Sequence, residues 1–186
     1  MRQGAFLIAA VALLGGCGDE PTTAGTAADL RLVGAPAAEL QGLAAVRAAT
    51  ARFHRFEVAY GENYNFLFMN TCMVDESGLN RGGMGYHYVN TDLLDASLDV
   101  ATPEAVLYEP GPNGQLRLVG LEYVIPKDAW SGPPPVLLGQ ELKLNAFDLW
   151  ALHVWVWKRN PSGMYADWNP DVNCDNAAVT SAGARR

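Results

Sequence analysis

The sequence predicts an α+β domain: an antiparallel, curved or barrel-like sheet with one long N-terminal helix. Three observations lead there. Apolar residues recur at steps of three or four along one long stretch, between Pro36 and Gly61. Beyond Gly61 the period shortens to that of strands, and the strand-like runs are separated by turn signals rather than by further helices. At 49% hydrophobic and 18% charged, a chain of 186 residues is globular with one domain, which excludes disorder, a collagen-like repeat and a long coiled coil.

The helical stripe is Leu40, Leu43, Val46, Thr50, Phe53, Phe56 and Tyr60, with alanine filling many intervening positions. That spacing predicts about six turns with one apolar face. Pro36 suits the first turn and Gly61 the C-terminal cap. Strands are expected at 65–73, 84–90, 104–108, 115–125 and 150–158, all rich in Val, Leu, Tyr, Phe and Trp. Gly111-Pro112-Asn113-Gly114 should fold the fourth run back on the third as a hairpin. Ser131-Gly132-Pro133-Pro134-Pro135 reads as a loop, and Asn160-Pro161-Ser162-Gly163 ends the last strand.

The N-terminus reads as an address. Arg2, an apolar run from Ala5 to Leu14 and the small residues Gly15 and Gly16 describe a secretory signal peptide over 1–16, too short to span a bilayer. Leu14-Gly15-Gly16-Cys17 resembles the bacterial lipobox, which implies diacylglycerol on Cys17 and attachment to the extracytoplasmic side of a membrane. Gly18, with no aspartate after the cysteine, resembles outer-membrane sorting in enteric bacteria and leaves the leaflet open. Residues 17–35 then form the lipidated cysteine and a flexible tether, 36–176 the domain, and 177–186 a frayed tail. In that oxidising compartment the remaining pair, Cys72 and Cys174, is expected as a disulfide closing a loop of about 100 residues. Thirteen basic residues against twenty acidic ones give a net charge of -7, the wrong sign for nucleic-acid binding.

His87, Glu122 and His153 each interrupt an apolar strand-like run. Both faces of those runs are apolar, so none of the three turns safely into water, and an unpartnered carboxylate would cost several kcal/mol. They are therefore expected to converge. Two imidazoles and a carboxylate are the ligand set of catalytic zinc and of non-haem iron, so a divalent transition metal is one reading. A polar cluster in which Glu122 holds an imidazole and tyrosine hydroxyls satisfy the rest is another, and exposure at a rim a third. His54 falls outside the helix stripe and is expected at the surface. Glu109, before Pro110, reads as a strand-end residue about 13 Å from Glu122, too far for a glycosidase carboxylate pair.

Tyr86, Tyr88, Tyr123 and Trp155 are candidates for the walls of an aromatic cavity holding a small ligand, against the alternative that such rings merely fill the core. Asp167, Asn169, Asp171, Asn173 and Asp175 alternate like the start of an EF-hand loop, but Val172 and Ala178 stand where glycine and a bidentate glutamate are needed. Backbone hydrogen bonding by these side chains, with Trp168 plugged into the domain, is the better reading. Nucleophile elbow, P-loop, dinucleotide and zincin-helix motifs are all lacking.

Residues 84–90, 106–110 and 152–174, the last with Asn160-Pro161-Ser162-Gly163-Met164-Tyr165-Ala166-Asp167-Trp168-Asn169-Pro170, resemble a recurring group of bacterial secreted proteins. The resemblance implies no activity, substrate or site residue. The expected function is a lipid-anchored extracytoplasmic domain binding a small ligand or metal around His87, Glu122 and His153. The alternatives are a metal-dependent hydrolase-like enzyme in which Tyr86, Tyr88 or Tyr123 assists proton transfer, and a structural envelope protein.

Overall fold

Helix α1 (Ala37–Thr50) buries Leu43, Val46 and Thr50, and it is Thr50 that ends it. Its hydroxyl donates back to the Val46 carbonyl at 2.8 Å and accepts from Trp157 Nε1 at 3.1 Å. Back-bonding of this kind competes with the helical ladder and bends it. A single 3₁₀ turn follows (Ala51–His54), then Arg55 in extended conformation, then the short helix α2 (Phe56–Gly61). The expected single helix is thus two segments with a break. The break re-phases the stripe: Phe53 and Ala59 are fully buried, whereas Tyr60 is 54% exposed.

The computed structural model describes residues 36–177. The signal peptide expected at 1–16, the lipid-bearing Cys17 with its tether, and residues 178–186 of the expected tail lie outside the described residues. Ala177, the described part of that tail, accepts a hydrogen bond from the Tyr86 hydroxyl at 3.0 Å. Among the described residues no helix is long and apolar enough to cross a membrane.

The sheet contains β1 (Phe66–Leu67), β2 (Met73–Val74), β3 (Gly83–Val89), β4 (Ala105–Pro110), β5 (Leu116–Pro126), β8 (Lys143–Leu144) and β9 (Leu149–Val154). Their order is β1-β3-β4-β5-β9-β8, with β2 also beside β3, and every pairing is antiparallel. The fold is α+β as expected, but the sheet stays open and does not close into a barrel. The loop 111–114 joins β4 to β5, with Asn113 and Gly114 both at positive φ, as residues of an Asn-Gly turn readily adopt. The expected strand at 65–73 is split because Met69 and Asn70 take positive φ. The expected last strand ends early, at Val154, since the Trp155 amide leaves the ladder for the Met164 carbonyl. A hairpin of β6 (Val136–Leu137) and β7 (Gln140–Glu141) was not expected from sequence.

Side-chain alternation gives the sheet two buried faces. On one, Tyr86, Tyr88, Tyr108, Leu121, Tyr123 and Leu152 pack with Leu43, Val46 and Phe53 of the helical segment. A smaller cluster, Leu107, Val119, Trp155 and Val172, forms separately with the C-terminal segment. That segment is held in three ways: Gly83 and Asn169 exchange backbone hydrogen bonds at 3.0 and 3.1 Å, Cys72 and Cys174 form the expected disulfide with Cα atoms 5.9 Å apart, and Glu109 receives the Asn173 amide at 3.2 Å. Glu109 stands at the strand end, as expected, but is only 2% exposed and also paired with Lys158 and Arg117.

Candidate metal centre

Glu122 on β5 and His153 on β9 are direct cross-strand partners, and His87 lies on β3, in register with Leu107 of β4. Directly opposed residues point to the same face. His87 is aimed by a local irregularity at Gly85, whose φ is +86° and where an added Cβ would sit 2.5 Å from the Tyr108 carbonyl oxygen. Only glycine fits there without strain. Trp155 lies over Gly120 and stacks on the His153 ring with centroids 6.0 Å apart, its Nε1 donating to the Ala166 carbonyl at 2.6 Å.

The three side chains meet. His87 Nε2 is 3.5 Å from His153 Nε2 and 3.7 Å from Glu122 Oε2, and His153 Nε2 is 3.6 Å from Glu122 Oε1. One ligand atom from each residue lies within 4.8 Å of the others, and all three residues are buried. Burial pushes the His87 imidazole down to about 3, with the neighbouring His153 adding to the effect, and pushes His153 down to about 4, with Lys143 adding. Burial likewise pushes the Glu122 carboxyl up to about 8, helped by Glu104 and Asp167. At neutral pH the cluster is therefore two neutral imidazoles and a protonated carboxyl.

Two imidazole nitrogens held by one tetrahedral zinc ion at about 2.0 to 2.1 Å each stand about 3.4 Å apart. The Nε2 pair, at 3.5 Å, already has that spacing. A polar cluster would need Glu122 to hold an imidazole, yet its oxygens stand 3.6 and 3.7 Å from the two Nε2 atoms, beyond hydrogen-bond length, and the imidazoles meet only each other, at 3.5 Å. Nor do tyrosines complete it. The hydroxyls of Tyr86, Tyr108 and Tyr123 donate to the carbonyls of Ala177, Phe53 and Val100 instead.

Above the cluster opens a cavity of about 650 Å³ with His87, Glu122 and His153 among its lining. Its walls include Phe66, Phe68, Met84, Leu94, Phe147 and Trp168. Phe68 and Phe147 meet edge to face at 5.1 Å, and Lys143 pairs with Asp167 at 3.0 Å, both partly in solvent.

The expected aromatic lining is corrected here. Tyr86, Tyr88 and Tyr123 are sequence neighbours of His87 and Glu122, so strand alternation sends them to the opposite face, into the core under the helices. Trp155 is beside His153 but outside the cavity lining, backing the imidazole instead. The actual rings come from Phe66, Phe68, Phe147 and Trp168, which sequence reasoning missed as lining. Met84 was missed too, because the irregularity at Gly85 breaks the parity by which it would be placed opposite His87. His54 is exposed as expected, with its ring 4.5 Å from that of Trp157. Asn169 and Asn173 accept from the amides of Asp171 and Asp175, the local backbone bonding expected of that segment. Comparisons of the chain with protein-family profiles, with curated proteins and with solved structures found no match.

Proposed function

We propose that this domain binds a divalent transition metal through His87 Nε2, His153 Nε2 and the Glu122 carboxylate, with the remaining coordination positions facing the cavity. The observation that carries this reading is the convergence of three buried ligand atoms within 4.8 Å at the cavity floor, with the two nitrogens at the spacing an ion requires. Three protein ligands with an open side are the pattern of sites that bind or activate a further molecule. When bound, the ion would polarise a ligand oxygen; the chain's own contribution is to hold the two imidazoles on β3 and β9 and the carboxyl on β5, all three buried. A binding role is favoured over a hydrolytic one because the tyrosines that proton transfer would use lie on the far face of the sheet. The signal-like N-terminus and Cys17 support a place for the domain on the extracytoplasmic side of a bacterial membrane, held by lipid.

Equilibrium dialysis against zinc or cobalt(II), followed by elemental analysis, tests the reading. One ion per chain is expected, lost in His87→Ala and in His153→Gln, each checked for folding by thermal melting. A folded wild-type chain that retains no ion would leave a purely polar cluster as the correct description.

A further inference from the structure

We propose that the cavity holds an amphipathic monoanion, an apolar body ending in a carboxylate, with its charged oxygen on the metal ion and its body between Phe68, Leu94, Phe147 and Trp168. The inference rests on the metal reading of the same three residues and adds the class of ligand. Charge decides the head group. A divalent ion held by two neutral imidazoles and one carboxylate leaves one net positive charge at a site whose residues are nine-tenths or more buried. An uncompensated charge in such surroundings costs several kcal/mol. Of the other acidic and basic groups near it, Lys143 and Asp167 are paired with each other at 3.0 Å and cancel, and Glu104, outside the lining, is bound to the Val124 amide at 2.8 Å. A single anionic donor brings the site to neutrality; a neutral donor leaves it charged, and a dianion overshoots.

Shape and wall chemistry decide the body. About 650 Å³ is the room of a small organic molecule rather than of one water. Most of the wall is Phe, Met, Leu, Val and Trp, which offers water no partners. The polar groups are confined to the floor, to the Lys143–Asp167 pair and to Asn145, so a fitting ligand is polar at one end.

Isothermal titration of the zinc-loaded chain with octanoate, acetate and 1-octanol tests this. Octanoate is expected to bind at least tenfold more tightly than either acetate or 1-octanol, and at least tenfold more tightly than to the metal-free chain. Phe147→Ser, an uncharged change at a position 46% exposed and not among the three metal ligands, should weaken octanoate at least fivefold while zinc is still taken up one ion per chain. Zinc bound with octanoate no better than 1-octanol or acetate, or indifferent to zinc, overturns the ligand class and leaves the metal site standing. A chain that takes up no zinc overturns both.

Discussion

Glu122 and His153 sit directly opposite each other on adjacent antiparallel strands, with Oε1 and Nε2 3.6 Å apart, and His87 from β3 closes the cluster. Such a pair is fixed by sheet register. A one-residue slip of β9 against β5 would turn His153 into the core under the helices. The chemistry of the site is thus inherited from the hydrogen-bond ladder, and loops supply only the walls above it.

Metal affinity should depend on pH through one proton. Glu122 is held protonated up to about pH 8 by burial, and both histidines are already neutral well below pH 6. Binding an ion displaces the Glu122 proton, so the apparent zinc affinity should rise about tenfold per pH unit between about pH 6 and 8 and then level off. Competition against a zinc-buffering dye over that range checks it. A slope of two with levelling near pH 7 would point to ordinary, solvated histidines.

A second buried carboxyl gives a stability test independent of metal. Glu104 accepts the Val124 amide at 2.8 Å, and burial pushes it up to about 7 from its ordinary 4.5. A carboxyl raised in the folded state contributes fully below pH 4.5, and its contribution is lost as pH rises through 7. Relative to wild type, Glu104→Gln should therefore gain about 2 to 3 kcal/mol between pH 5 and pH 8. Urea melts of both chains at the two pH values measure the difference. No relative gain would mean that Glu104 is hydrated in solution.

Removing the disulfide should separate fold stability from metal binding. Replacing Cys72 and Cys174 together by serine opens a link spanning 102 residues, at a cost of about 4 to 5 kcal/mol in the chain-entropy view. Trp168 and Asp167, on the tethered segment, should become more mobile, and octanoate binding should weaken. Zinc binding should persist, since its three ligands lie on β3, β5 and β9. Thermal melting and Trp fluorescence follow the two effects. Loss of zinc together with the disulfide in a folded variant would tie the metal site to the C-terminal segment.

The cluster was legible in the sequence for a thermodynamic reason. An ionisable group in a run that is apolar on both faces has no route to water, so His87, Glu122 and His153 had to find one another or other partners. The hairpin and the disulfide were legible from Asn113-Gly114 and from the even cysteine count. Strand alternation alone would have removed Tyr86, Tyr88 and Tyr123 from the cavity, since each is adjacent to a cluster residue. Other features were not readable. Thr50 fits the apolar stripe whether the helix continues or breaks, and nothing in the stripe marks Arg55 as the residue whose extended backbone separates the two helical segments. Phe68 and Phe147 approach each other beside backbone turns in which Met69, Asn70 and Asp148 take positive φ; Asn and Asp tolerate that conformation, but nothing in a methionine announces it.

Zinc-edge anomalous scattering from a crystal of the zinc-soaked chain bears most directly on the central claim. The expected result is one strong peak about 2.0 to 2.1 Å from both His87 Nε2 and His153 Nε2 and about 2.0 to 2.2 Å from a Glu122 oxygen. Zinc found only at surface carboxylates or at the exposed His54, with the two imidazoles hydrogen-bonded to each other, would contradict it.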